Sequence, residues 1–182
     1  NQGNENMKTQ ARVVVIGGGV VGVSTLYHLT RKGWSDVTLL ERTELTAGST
    51  WHAAGLLPLF NMSYTVGQLH KYSVDLYKRL PAETGQDVSF HVTGNLRLAT
   101  CRDRMDEYRK YCGTANTIGV PFQLISPAEV KELWPLVNLG GNADTPAVIG
   151  ALYHPDDGHI APADLTMALR KPEWSLLPGA FK

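Results

Sequence analysis

An α/β fold built on a parallel sheet is predicted by three features near the start of the chain. Residues 12–16, Arg-Val-Val-Val-Ile, form a β-branched apolar run stopped by glycines, the pattern of a strand buried on both faces. Val23, Leu26, Leu29 and Thr30 then recur at helical spacing, and Gly33 stands where a helix ends in a left-handed residue. Residues 37–41 read as a second short strand. Strand, helix and strand in that order demand a right-handed crossover with parallel strands.

The 182 residues suffice for one domain and part of a second. With 43% hydrophobic and 19% charged residues, the composition is that of a globular protein. A net charge of zero provides no positive field to gather nucleic acid or anionic lipid. Neither nucleic acid nor membrane is therefore an expected partner, and the first apolar run is too short to cross a bilayer. Cys101 and Cys112 lack a Cys-x-x-Cys spacing and surrounding histidines. Both are expected as buried or half-buried free thiols in a reducing compartment, and no metal site is expected. Residues 1–11 are expected to be a disordered or non-native leader with Met7 as a candidate initiator, because they carry neither a signal core nor a transit pattern. The expected location is the cytoplasm or, in a eukaryote, the mitochondrial matrix.

Residues 45–60, rich in Gly, Ala and Thr, read as a loop or short helix packed on the first unit. Val66, Leu69, Leu76 and Leu80 predict a helix. Val88, Phe90 and Val92 alternate with polar residues, as do Leu96 and Leu98 after Thr93-Gly94-Asn95, which predicts two antiparallel strands. Residues 102–118 read as a helix ending at Gly119. Ser126-Pro127-Ala128-Glu129 combines an N-cap, a first-turn proline and a glutamate able to reach back, announcing a helix to Trp134 that Pro135 stops. A strand over residues 149–153 leads through Pro155-Asp156-Asp157-Gly158 into a helix from near Pro162. Pro172 is expected to break that helix, leaving residues 172–182 as an atypical truncated tail.

Gly17-Gly18-Gly19-Val20-Val21-Gly22 contains Gly-x-Gly-x-x-Gly, a string that gains meaning from its place between strand and helix. Gly17 turns the chain, Gly19 lets backbone approach a pyrophosphate, and Gly22 lets the helix pack closely. The helix amides and dipole then face the diphosphate. Glu41 ends the second strand about 20 residues later, where an acid accepts hydrogen bonds from adenosine ribose hydroxyls and repels a 2′-phosphate. The competing reading is a strand-end glutamate beside a tight turn with no ligand. Arg42 is either a surface charge or a neighbour of adenine or phosphate. FAD and NAD share the ADP half, so these residues alone do not separate them.

The run Glu41-Arg42-Thr43-Glu44-Leu45-Thr46-Ala47-Gly48-Ser49-Thr50-Trp51-His52-Ala53-Ala54-Gly55-Leu56 resembles the dimethylglycine and sarcosine dehydrogenase family, relatives of the D-amino-acid-oxidase-like flavoproteins. The likeness continues in Gly94-Asn95-Leu96-Arg97-Leu98-Ala99 and Pro155-Asp156-Asp157-Gly158-His159-Ile160. It implies a Rossmann-like FAD-binding domain with a parallel sheet whose first part is residues 12–87. It further implies part of an α+β substrate or cap domain in residues 88–160 and a helix returning to the FAD domain in residues 161–171.

The resemblance implies FAD held covalently through His52, whose neutral imidazole is a competent nucleophile. Gly48, Ser49 and Thr50 are expected to supply amides and hydroxyls to phosphate or ribityl oxygens, and Ala53, Ala54 and Gly55 to leave room for the ring. With Gly17, Gly19, Gly22, Glu41 and Arg42, these polar-loop residues and His52 make the expected cofactor-binding set.

Members of the family oxidise an N-methyl carbon. The resemblance therefore implies FAD-dependent oxidative demethylation of dimethylglycine or sarcosine by the full-length protein, with an acceptor flavoprotein or oxygen taking the electrons. Family members are longer, so the catalytic groups, and any tetrahydrofolate site, are expected outside this chain, and no catalytic residue is assigned.

A non-catalytic regulatory flavoprotein similar to the pyruvate dehydrogenase phosphatase regulatory subunit is the alternative; the retained Trp51-His52 pair favours the enzyme. A nicotinamide-dependent dehydrogenase is disfavoured because nothing after Glu41 continues a simple alternation of strands and helices. His154 and His159 flank Asp156 and Asp157 in a grouping that mimics a metal site, but likeness to the family's Pro-x-Asp-Gly turn makes a structural turn the expectation. Tyr72, Tyr77, Tyr108 and Tyr111 are expected in core or interface, His28 and His70 on the surface, and His91 pointing outward.

Overall fold

The computed structural model describes residues 10–176, with side chains through Lys171; the expected leader lies almost wholly outside that range. Two compact units share the described residues. The first takes the chain up to Gly55, Tyr77–Ser89 and everything from Ile160, and the second takes Leu56–Leu76 and Phe90–His159. Residues 56–76, expected with the first domain, thus group with the second.

In the first unit, β1 (Val13–Ile16) and β2 (Val37–Leu40) pair in parallel, Val13 opposite Val37 and Ile16 opposite Leu40. The crossover is α1 (Val20–Arg31), which buries Val23 and Leu26, and Gly33 follows it with φ +84°. The last turns of α2 (Tyr64–Thr84) add Leu80, and the Tyr27 hydroxyl donates to Glu83 at 3.0 Å. Of the four residues that predict α2, Leu76 and Leu80 are buried, with Val74, whereas Val66 and Leu69 are exposed.

Two expectations about this unit need correction. β1 is not buried on both faces: Ile16 is 85% exposed and Val14 48%, whereas α1 packs against both strands and β2 buries Val37, Thr38 and Leu39 in succession. Nor does Pro172 end the last helix, since α5 (Pro162–Leu176) continues past it. Proline removes one backbone bond but keeps a helical φ. The turns before it are anchored along α1 through buried Leu165, Ala168 and Leu169, so the helix survives the loss.

The second unit holds two small antiparallel sheets. β5 (Asn95–Ala99) and β6 (Gln123–Ile125) flank β7 (Gly150–His154). Alternation along β7 sends Leu152 into a core with Tyr108, Tyr111 and Ala115 of α3 (Arg102–Ile118). It sends Ala151 the other way, onto Val130 of α4 (Pro127–Leu133), so a central strand becomes apolar on both sides. α3 ends at Gly119 with φ +78°, and α4 begins with the expected capping box, Ser126 and Glu129 exchanging bonds.

In the second sheet, β8 (Gly158–His159) lies between β3 (Leu56–Leu57) and β4 (His91–Val92). The two strands expected around Thr93-Gly94 therefore do not pair with each other. Thr93 and Gly94 both donate to the Asp157 carbonyl, at 3.1 and 2.8 Å, and Gly94 takes φ +72°. This turn hands β4 to one sheet and β5 to the other.

Candidate cofactor-binding site

The glycine turn sits at the carboxyl end of β1, the side on which open α/β sheets bind ligands. Gly17 turns the chain with φ +112° and donates its amide to the Leu40 carbonyl at 2.8 Å. Gly19 is the N-cap of α1 and offers no side chain to the helix amides. A Cβ on Gly22 would stand 1.9 Å from the Gly17 carbonyl oxygen, and one on Gly18 2.5 Å from Leu45 Cδ2. Conformation thus demands glycine at 17 and close helix packing demands it at 22, as the motif predicts.

Glu41 follows β2 directly. Its Oε2 accepts the Gly18 amide at 2.7 Å, and its Oε1 accepts the Thr43 amide at 2.9 Å and hydroxyl at 3.2 Å. These bonds, led by that from Gly18, hold its carboxyl below the usual carboxylate range. The acid's partners are the glycine turn and Thr43. A carboxylate offers about four acceptor positions, so these bonds leave room for a sugar hydroxyl.

The segment after Glu41 folds back onto the turn. The Thr46 amide donates to the Gly18 carbonyl at 3.0 Å, with Thr46 held at φ +73°. Thr50 is 6% exposed and its hydroxyl accepts the Val20 amide at 2.9 Å. A Cβ on Gly19 would stand 2.9 Å from that hydroxyl. Thr50, expected to face phosphate or ribityl oxygens, therefore bonds the first amide of α1. The amides of Val21 and Gly22 remain in the first helical turn, where no intrahelical carbonyl serves them.

Gly17, Gly19, Gly22, Glu41 and Thr50 come together in one network. Arg42, Gly48, Ser49 and His52 are exposed and lie outside it. The His52 ring is 4.2 Å from that of Trp51, and its Nδ1 is 3.2 Å from the Gly48 carbonyl. Sequence reasoning missed Thr43, Leu45 and Thr46. A hydroxyl two residues past an acid is a readable turn signal, whereas nothing local announces a positive φ at Thr46.

A groove of about 270 Å³ lined by Arg12, Lys32, Trp34 and Asp36 lies at the opposite, amino end of the strands, away from the glycines. Of the four residues in the His/Asp grouping, His154 and Asp157 are buried and bonded within the core, and His159 is exposed. His154 is fully buried with Nε2 2.9 Å from the Tyr111 hydroxyl, and Asp157 Oδ1 accepts the Leu59 amide at 2.9 Å. Among the described residues no three His, Cys, Asp or Glu side chains gather as metal ligands. No helix there is long and apolar enough to cross a membrane. Cys112 is half-buried as expected, but Cys101 is exposed.

Comparison with known proteins agrees with this geometry. The chain is 47% identical over 162 residues to a mitochondrial dimethylglycine dehydrogenase of Rattus norvegicus, covering 89% of this chain and 18% of that protein. It is 38% identical over 163 residues to the mitochondrial pyruvate dehydrogenase phosphatase regulatory subunit of Mus musculus, covering 90% of this chain and 18% of that protein. The fold matches the crystal structure of an L-proline dehydrogenase from P. horikoshii with a TM-score of 0.79 and 31% identity, over 91% of this chain and 42% of that one. This chain therefore spans about a fifth of the length of these two curated relatives. Residues 12–172 match the FAD dependent oxidoreductase family, and with the glycine turn, Glu41 and the parallel strands in place, the chain belongs to that family.

Proposed function

We propose that this chain holds the adenosine diphosphate half of FAD, and that the whole protein oxidatively demethylates an N-methylated glycine. One observation carries the first statement: Glu41, kept charged, bonds the Gly18 amide at 2.7 Å at the mouth of a turn that excludes Cβ atoms. In this reading the amides of Val21 and Gly22, at the positive end of α1, hold diphosphate oxygens. Glu41 accepts hydrogen bonds from the ribose, with Arg42 beside it and Gly48 and Ser49 near the phosphates. His52, exposed beside Trp51, is the point of covalent attachment.

FAD, when bound, supplies the two-electron oxidation of the N-methyl carbon. Water adding to the resulting iminium carbon releases formaldehyde and the demethylated amine. An acceptor flavoprotein or oxygen takes the electrons, and capture of the carbon by tetrahydrofolate belongs to parts of the protein outside this chain. The dimethylglycine dehydrogenase relative supports the substrate class. The regulatory reading has less support, because that relative is more distant and the Trp51-His52 pair is present. The mitochondrial relatives favour the matrix for a eukaryotic source.

The test is amide NMR of the isotope-labelled chain titrated with FAD and separately with NADP+. Expected are shifts at Gly18, Val21, Gly22 and Glu41 with FAD, weaker ones with NADP+, weak affinity, and no turnover of sarcosine. Unmoved glycine-turn amides at millimolar FAD would sink the reading.

A further inference from the structure

His91 and His159 stand directly opposite one another on the antiparallel strands β4 and β8. Both are exposed, and their ring centroids are 5.1 Å apart. Neither imidazole has a hydrogen-bond partner among the described residues, so nothing competes for their ring nitrogens. Two imidazoles sharing one ion, with metal–nitrogen bonds of about 2.0 Å at angles of about 90–110°, place their centroids about 4.5–5.2 Å apart. The observed spacing falls inside that range.

The backbone beneath the pair is fixed by other means. A Cβ on Gly158 would stand 2.0 Å from the His91 carbonyl oxygen, so glycine is what lets these strands approach so closely. Next to it, buried Asp157 pins both flanks. Its carbonyl accepts the amides of Thr93 and Gly94, just past β4, at 3.1 and 2.8 Å. Its Oδ1 accepts the Leu59 amide, just past β3, at 2.9 Å. The two Cα positions are therefore held in register before any ion arrives, which supplies the backbone part of the preorganisation a metal site requires.

We propose that His91 and His159 form a two-imidazole site for a divalent transition cation of borderline softness, with the remaining coordination positions filled by water. Nitrogen-only ligation disfavours the hard cations, which take oxygen donors. The Irving–Williams order makes Cu²⁺ the strongest occupant and the best probe.

The experiment titrates the full, tag-free chain with Cu²⁺, followed by calorimetry and by electron paramagnetic resonance. One equivalent is expected to bind with hyperfine structure from two nitrogens. His91→Gln and His159→Gln should each weaken binding by about tenfold or more and leave a one-nitrogen signature. Both rings are exposed, so these variants keep the core, which circular dichroism checks. Gly158→Ala, which retains both imidazoles, should lose the two-nitrogen signature. Absence of saturable one-to-one binding in the parent chain, or glutamine variants that bind as it does, overturns the site.

Discussion

Tyr111 Oη and His154 Nε2 lie 2.9 Å apart in the core of the second unit, and Tyr111 Oη is also 3.3 Å from the Leu59 carbonyl. Burial pushes the Tyr111 hydroxyl up to about 12, with Asp157 adding to the shift. Burial, helped by the Arg97 guanidinium, pulls His154 down to about 4. Two neutral groups thus share this bond at neutral pH. Tyr111→Phe strands His154 Nε2 in a dry core, at a cost of about 1–3 kcal/mol. Urea denaturation of the variant, read by circular dichroism, measures it.

The same core gives a pH dependence whose sign can be stated. His154 titrates at about 4 in the fold against an ordinary 6.5. The unfolded chain therefore binds more protons there, and His154 erodes stability as pH falls through that window. Burial raises Asp157 from 3.8 to about 6, so Asp157 acts oppositely and erodes stability as pH rises over nearly the same range. The two largely cancel. Asp157→Asn should leave a protein whose melting temperature drops more steeply than the parent's between pH 6.5 and pH 4, and His154→Gln one that drops less. Parallel melting curves for all three proteins would contradict this assignment.

Gly22 and Gly48 make a matched pair. A Cβ at Gly22 meets a backbone oxygen at 1.9 Å, while one at Gly48 meets nothing within 4 Å. Gly22→Ala must push α1 away from Gly17, an overpacking cost of about 1–3 kcal/mol. Gly48→Ala should stay within about 0.5 kcal/mol of the parent. Thermal melting of the two variants side by side is sufficient to test this.

These contrasts mark what was legible in the sequence. Local spacing exposed the Gly17 to Gly22 turn, Glu41, the Gly119 cap and the Ser126–Glu129 capping box, because each is a relation between near neighbours. Bonds across long separations were not readable. The Thr50 hydroxyl on the Val20 amide, the Asp157 carboxylate on the Leu59 amide, and β4 and β5 parting to separate sheets all depend on partners brought in by the fold. The three-residue strand β6 was missed because its short run carries too little alternation to be seen. Pro172 misled for a related reason: local propensity forbade a helix that packing of Leu165, Ala168 and Leu169 sustains.

Glu41→Gln replaces one acceptor oxygen by an NH2 group, while Gly18 and Thr43 present only donors to the original carboxylate. One donor must then face another, and the charge that answers them is gone. Affinity for FAD, ADP or NAD+ should fall by about tenfold or more, the worth of a hydrogen bond to a charged group. Fluorescence titration with FAD checks this, and unchanged affinity would remove Glu41 from the site.

Thr50 offers a sharper separation between holding the turn and holding the ligand. Its hydroxyl bonds the Val20 amide at 2.9 Å from a buried position, so it serves α1 as an N-cap side chain would, although it comes from 30 residues away. Thr50→Val keeps the shape and removes the acceptor, which should cost about 0.5–2 kcal/mol in the ligand-free chain. Thr50→Ser keeps the acceptor and should cost less. If Thr50 instead served only the nucleotide, the valine variant would melt with the parent and differ from it only when FAD is added. Melting curves of the three proteins, with and without FAD, therefore distinguish a helix cap supplied by the loop from a direct phosphate ligand.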